Sequence, residues 1–200
     1  MIEPLRTTRP APRPLPLFAW AREQRARRAR QRWLWRRMLA LALAPIVAGT
    51  LFTLARPPQP LLVWNASASA PIGLYAVAPG GKPARGQMVI AQLPAKVRPL
   101  AARRRYLPLN VPLVKRAAAI AGDRVCAQGP FITINGRFAA ARRRADAAGR
   151  PLPQWQGCRR LGAGEVFLLM AETPESFDGR YFGISAPIDV IGRATPVWLP

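Results

Sequence analysis

Apolar positions fall into one long unbroken block followed by short runs that alternate with polar residues. The block is residues 38–55, MLALALAPIVAGTLFTLA, which carries no charged side chain. Eighteen residues are just enough for a helix to cross a bilayer core, and Leu34 and Trp35 extend the stretch. Pro45 lies inside it, where neighbouring groups can take up the freed backbone carbonyl. Such a run has no polar face, so a core helix of a soluble domain is a poor reading of it. Beyond residue 64 the pattern shortens to strand length. Strands are expected over residues 72–78, 87–93, 113–120, 124–127, 131–134, 137–139, 165–171 and 188–193. Asn135-Gly136 is a two-residue hairpin signal between two of them. Residues 97–105 and 140–153 are expected as helix or loop insertions. The pattern predicts a mainly β, barrel-like domain behind one membrane helix.

Charge orients this picture. Residues 1–37 hold eleven arginines against Glu3 and Glu23. Basic residues on one flank of a membrane helix mark its cytoplasmic side. The expected organisation starts with a basic cytoplasmic tail (1–37), whose 21–37 run could form a helix but, polar most of the way round, is read as a solvated or headgroup-touching segment, mostly disordered before residue 20. A transmembrane anchor (38–55), a proline-rich linker (56–64) and a domain across the membrane (65–200) follow. A cleavable secretory signal is the rival, with Ala66-Ser67-Ala68 resembling a cleavage site. The net charge of +22 raises nucleic acid as a partner, but no reading motif accompanies it. No specific nucleic-acid function is expected.

Composition narrows the chemistry. The chain has no histidine, which excludes Ser-His-Asp and Cys-His sites and histidine-ligated metals built from it. Its two cysteines, Cys126 and Cys158, would need carboxylates to complete a zinc site. No metal and no cofactor are expected. A Cys126–Cys158 disulfide is expected if the domain is exported, two unpaired thiols being the alternative. Acyl-transfer chemistry would need another base, and a lysine paired with a serine is one. Of three lysines, Lys82 and Lys96 lie in turn or loop contexts, while Lys115 sits among Leu113, Val114, Ala117, Ala118 and Ile120. Burial lowers a lysine's pKa and supplies a neutral base. The bland alternative is an edge-strand lysine that reaches water.

Of four serines, Ser67 and Ser69 lie in the small-residue stretch Asn65-Ala-Ser-Ala-Ser-Ala-Pro-Ile-Gly-Leu-Tyr75, and Ser176 opens Ser176-Phe-Asp-Gly-Arg-Tyr-Phe-Gly183. With Lys115-Arg116 and Gly122-Asp123 between them, these segments stand in the order of the three boxes of signal peptidase I. The chain resembles that family, and more closely its conjugation branch, the TraF maturation peptidases, because only Ala70 separates Ser69 from Pro71. Gly179 departs from the serine usual in the closing box, which would weaken one supporting hydrogen bond.

The resemblance implies a signal-peptidase-like β-barrel and a membrane-anchored serine endopeptidase at a bacterial inner membrane, with residues 65–200 as its periplasmic domain. Ser69 would be the nucleophile and Lys115 the base. Ser67 and the Ser69 amide would form the oxyanion hole. Ser176, Asp178 and Arg180 would support them. It implies a membrane-tethered precursor as substrate, such as a pilin subunit in conjugative transfer, cut or cyclised. Ser185 matches no box and reads as an ordinary loop residue. The rival functions are a general signal peptidase and a non-catalytic membrane-anchored scaffold of a secretion apparatus. Asp123 and Asp178 as a paired-carboxylate site is the weaker chemical alternative.

Overall fold

A computed structural model of the chain describes residues 16–55 and 59–200, in two units, Met1–Pro58 and Gln59–Pro200. In the first, one helix, α1, runs over Pro16–Ala55 and through Pro45. Its Trp20–Ala55 stretch is long and apolar enough to cross a membrane. Met38, Leu41, Ile46, Leu51 and Leu54 are all exposed on it, which suits a membrane anchor and a signal sequence alike. Thr50 and Thr53 donate their hydroxyls to the carbonyls of Ile46 (2.8 Å) and Thr50 (2.9 Å), so neither is left unpaired in an apolar setting. The helix also includes the arginine-rich part that polarity alone marked as a solvated segment. Arginine has high helix propensity, and Arg37 lies over the Trp33 ring one turn earlier, 4.0 Å from its centroid. The expected disorder before residue 20 falls largely outside the described residues, although the helix starts at Pro16.

The second unit is mostly β. Its strands are β1 (Leu62–Asn65), β2 (Gly73–Pro79), β3 (Met88–Ala91), β4 (Leu113–Ala119), β5 (Arg124–Gln128), β6 (Phe131–Ile134), β7 (Arg137–Ala141), β8 (Gly157–Arg160), β9 (Phe167–Leu168) and β10 (Val190–Trp198). They form a six-stranded sheet in the order β1-β2-β10-β3-β4-β9 and a four-stranded one in the order β7-β6-β5-β8. All the pairings are antiparallel. A helix α2 (Arg98–Arg103) lies in the expected 97–105 insertion, and a short helix α3 (Gly179–Phe182) follows β9. Asn135 and Gly136 take φ of 52° and 79°, the left-handed pair that a tight β6–β7 hairpin needs.

Two strands differ from expectation. Leu62–Trp64, read as the end of a proline-rich linker, belongs to β1 and pairs with β2. β8 lies in a stretch where no strand was expected. Its four residues are all exposed, so no apolar alternation marks it. The 140–153 insertion carries no helix among the described residues; β7 reaches into it, and an isolated Ala145–Pro151 bridge closes its turn.

Buried side chains fall into three clusters. One contains Val89, Leu113, Ala117, Leu168 and Phe182, and a second Val125, Ile132 and Phe167. The third contains Ala70, Tyr75, Ile90, Val114 and Met170. Gly73, at the head of β2, is a position of contact: a Cβ there would come within 2.2 Å of the Trp198 carbonyl oxygen.

β8 buries no side chain, and Cys158 is joined by a disulfide to its cross-strand partner Cys126. The bridge closes a loop with a sequence separation of 32, for which chain entropy predicts about 3 kcal/mol. Reduction, or Cys158→Ser, is therefore expected to lower stability by about that amount. Hydrogen exchange should rise first at the amides of β8, while those of β3 and β4 stay protected.

Candidate active site

Strand β4 alternates, and Lys115 shares the face of Leu113 and Ala117, while Val114 and Ala118 face the other way. Lys115 is 4 % exposed. It pairs across the ladder with Val89 of β3, which is fully buried. Its Nζ lies 2.5 Å from Ser69 Oγ and 2.8 Å from Ser176 Oγ. Burial pushes its pKa down from 10.5 to about 8. The negative charge of Asp178 resists this fall and the positive charge of Arg180 assists it. An ammonium here donates to both hydroxyls. A neutral amine can donate to Ser176 and accept from the Ser69 hydroxyl, which turns its lone pair toward that oxygen.

Ser67 and Ser69 lie on the β1–β2 connection. Ser67 is exposed and Ser69 half-buried, with their hydroxyl oxygens 2.8 Å apart. The Ser69 N–H donates to Ser67 Oγ at 3.4 Å. Ala70, the next residue, is buried in the cluster with Tyr75 and Met170 and seats the connection against the sheet. The Tyr75 hydroxyl donates to the Pro71 carbonyl at 2.7 Å.

Ser176 is held from the other side of Lys115. Asp178 caps α3, accepting from the Arg180 N–H at 3.1 Å. It also accepts from the Met170 N–H at 3.1 Å and from the Arg180 guanidinium at 2.9 Å. Arg180, 1 % exposed, also donates from Nη2, shared with Asp178, to the carbonyls of Met170 (2.8 Å) and Thr173 (2.7 Å). The Thr173 carbonyl also accepts from the Ser176 N–H at 3.0 Å. The guanidinium thus gathers the 170–176 turn that presents Ser176 to Lys115. Removing either member of such a buried pair typically costs about 3–5 kcal/mol.

Asp123 is not brought to this group. Burial alone would raise its pKa. Hydrogen bonds from the Ile120 N–H (2.9 Å) and Asn135 (2.8 Å), with the Arg85 guanidinium, outweigh that and hold it below the ordinary carboxylate range. Its oxygens are occupied in closing a turn, as those of Asp178 are in holding Arg180. Neither of these two carboxylates is free to work as an acid or base. Ser185, read as an ordinary loop residue, is fully buried and bridges Val166 through both backbone groups, 2.9 and 3.1 Å. Cys126 and Cys158 lie in the four-stranded sheet, bonded to each other.

Two residues of the site carried no expectation. Trp155 donates its indole N–H to the Gly179 carbonyl at 3.0 Å and meets Phe167 edge-on. Nothing local in a loop tryptophan announces such a contact. Asn65 binds the backbone of the serine connection. The signal for it was present, since asparagine commonly bonds the backbone two residues on, here at Ser67.

Gly179, where the resemblance expects a serine and one supporting hydrogen bond more, carries a steric constraint as well. Here a Cβ would stand 2.7 Å from both the Leu168 carbonyl oxygen and the Phe167 ring. Gly179→Ser is expected to destabilise the domain by about 1–3 kcal/mol, read as a fall in Tm, and to reduce activity. An unchanged Tm would show that Phe167 can yield.

Comparison with known proteins places the chain among peptidases. A family model described as signal peptidase, peptidase S26, matches residues 30–199. Two Escherichia coli proteins, each described as plasmid transfer protein TraF, are similar in part. One is 38 % identical over 88 residues, covering 42 % of this chain and 50 % of the relative. The other is 40 % identical over 74 residues, covering 36 % and 42 %. The chain therefore spans half or less of these curated relatives. A solved signal peptidase I from Enterococcus faecalis aligns at 20 % identity, covering 57 % of this chain and 97 % of that one, with a TM-score of 0.34.

Proposed function

The chain belongs to the peptidase S26 signal peptidase family, and we propose that it is a membrane-anchored serine endopeptidase in which Ser69 is the nucleophile and Lys115 its general base. The observation that carries this reading is the 2.5 Å approach of Lys115 Nζ to Ser69 Oγ at a buried site that favours the neutral amine. A hydroxyl is a weak nucleophile until a base within hydrogen-bond reach takes its proton.

The steps follow from the partners. Neutral Lys115 accepts the Ser69 proton as Oγ attacks the scissile carbonyl. The ammonium then hands that proton to the leaving amine, and the regenerated amine activates the group that opens the acyl-enzyme. Ser176, 2.8 Å from Nζ, keeps the amine oriented through each change of charge. The Ser67 hydroxyl and the Ser69 N–H serve the oxyanion. For this, Ser67 Oγ leaves its contact with Ser69 Oγ and turns its proton to the substrate. A donor of this kind typically contributes about 10²–10³ in rate. Asp178 and Arg180 support Ser176 without touching substrate.

In this reading α1 anchors the enzyme in a bacterial inner membrane, with its arginine-rich end cytoplasmic and the β unit periplasmic. The substrate is a precursor protein tethered to the same membrane. Similarity to plasmid transfer proteins favours a pilin subunit of a conjugative apparatus over general secretory precursors.

Co-expression with a candidate pilin precursor, followed by mass spectrometry of the product, tests this. Ser69→Ala and Lys115→Met are each expected to lower conversion by at least about 10³-fold while leaving the protein folded. A product lacking the mass of one water identifies cyclisation rather than a simple cut. The neutral amine is the active form, so the parent's kcat/KM should rise with pH, reach half its maximum near pH 8 and level off above. Equal conversion by parent and Lys115→Met would overturn the assignment and favour a non-catalytic scaffold.

A further inference from the structure

We propose that Asn65 is the positioning residue of the nucleophile connection, the side chain that sets Ser67 and Ser69 against Lys115. The inference rests on the reading of Ser69 as nucleophile. Asn65 ends β1, pairs with Gly73 at the start of β2, and so stands at the base of the 66–72 connection. It is 6 % exposed. Its Nδ2 lies within hydrogen-bond distance of three carbonyls of the connection, Ser67 (3.0 Å), Ala70 (3.1 Å) and Pro71 (2.9 Å), which share its two hydrogens. Its Oδ1 accepts from the Ser67 N–H at 3.1 Å. One side chain thus holds Ser67 by both its backbone groups and grips the chain again just beyond Ser69.

No regular structure does this work. The connection's own backbone bond is a single turn, Ala70 N–H to the Ser67 carbonyl at 3.3 Å. Buried carbonyls without partners are unfavourable, so the backbone gathers around the amide. Tyr75 adds a second donor at Pro71 but none nearer the serines. Asparagine suits the place because its amide offers donors and an acceptor together. Aspartate has the same shape and keeps the acceptor for the Ser67 N–H, but it would set an anion against three carbonyl oxygens.

Asn65 touches no reacting atom, so its effect passes through Ser67 and Ser69. A misplacement of about 1 Å in a reacting group can lower a rate about 10²-fold. The test compares parent, Asn65→Ala and Asn65→Asp as full-length protein in membranes with the same pilin precursor, and follows amide hydrogen exchange in each. Both variants are expected to lose about 10²-fold in kcat with KM within about threefold of the parent. The pH at half-maximal rate should stay near 8, because the burial and the Asp178 and Arg180 charges that set it are untouched. Exchange should rise at residues 67–70 while β3, β4 and β10 stay protected.

The proposal is overturned if the variants process the precursor at the parental rate. It is also overturned if activity is lost only in step with global unfolding, or if exchange at 67–70 does not change. Should the parent itself leave the precursor uncut, the catalytic reading fails and the exchange comparison still decides what Asn65 holds.

Discussion

An amine buried against apolar strands is unfavourable in its charged form, and Lys115 sits where that cost is felt. Its pKa of about 8 lies below the 10.5 of an open lysine. Between those values the unfolded chain binds the extra proton and the folded one does not, so stability rises with pH across that window. Below about pH 8 the fold bears the whole cost, about 3 kcal/mol at 1.36 per unit. A more comfortable lysine would be a stronger base in name and a protonated one in practice. The same cost that weakens the fold keeps an amine lone pair available near neutral pH.

That arrangement needs a charged neighbour that does not neutralise it. Asp178 attracts the ammonium, but its oxygens are committed to Arg180, to the cap of α3 and to the Met170 N–H. Arg180 opposes the attraction and binds the Met170 and Thr173 carbonyls of the turn bearing Ser176. The pair's contacts are thus with each other and with backbone beside Lys115. Trp155, reaching the Gly179 carbonyl from the insertion before β8, ties the four-stranded sheet's periphery to the same small helix. Gly179 is glycine because Phe167 and the Leu168 carbonyl occupy the space a side chain would need.

Much of the architecture was legible because its causes are local. An uncharged run of eighteen residues can only be comfortable in lipid or a large core, and Asn135-Gly136 is suited by conformation to a tight hairpin. Most strands showed in their alternation. β1 and β8 did not: the first is four residues beside a proline-rich stretch, the second buries nothing and is held by pairing and by the Cys126–Cys158 bridge. The 21–37 run of α1 was open to a helix by sequence, but polarity most of the way round left no apolar stripe to mark it.

Residue type and spacing along the chain are enough to list the chemistry: no histidine, a lysine set in an apolar run, serines in two places and an arginine-aspartate pair two residues apart. Which of them meet depends on how the strands pair. Ser69, Lys115 and Ser176 are brought within hydrogen-bond reach because antiparallel pairing lays β4 between β3 and β9, and because Arg180 folds the 170–176 turn back toward it. Asn65's hold on the serine connection belongs to the same level, since most of its partners are carbonyls whose directions exist only once the backbone has closed.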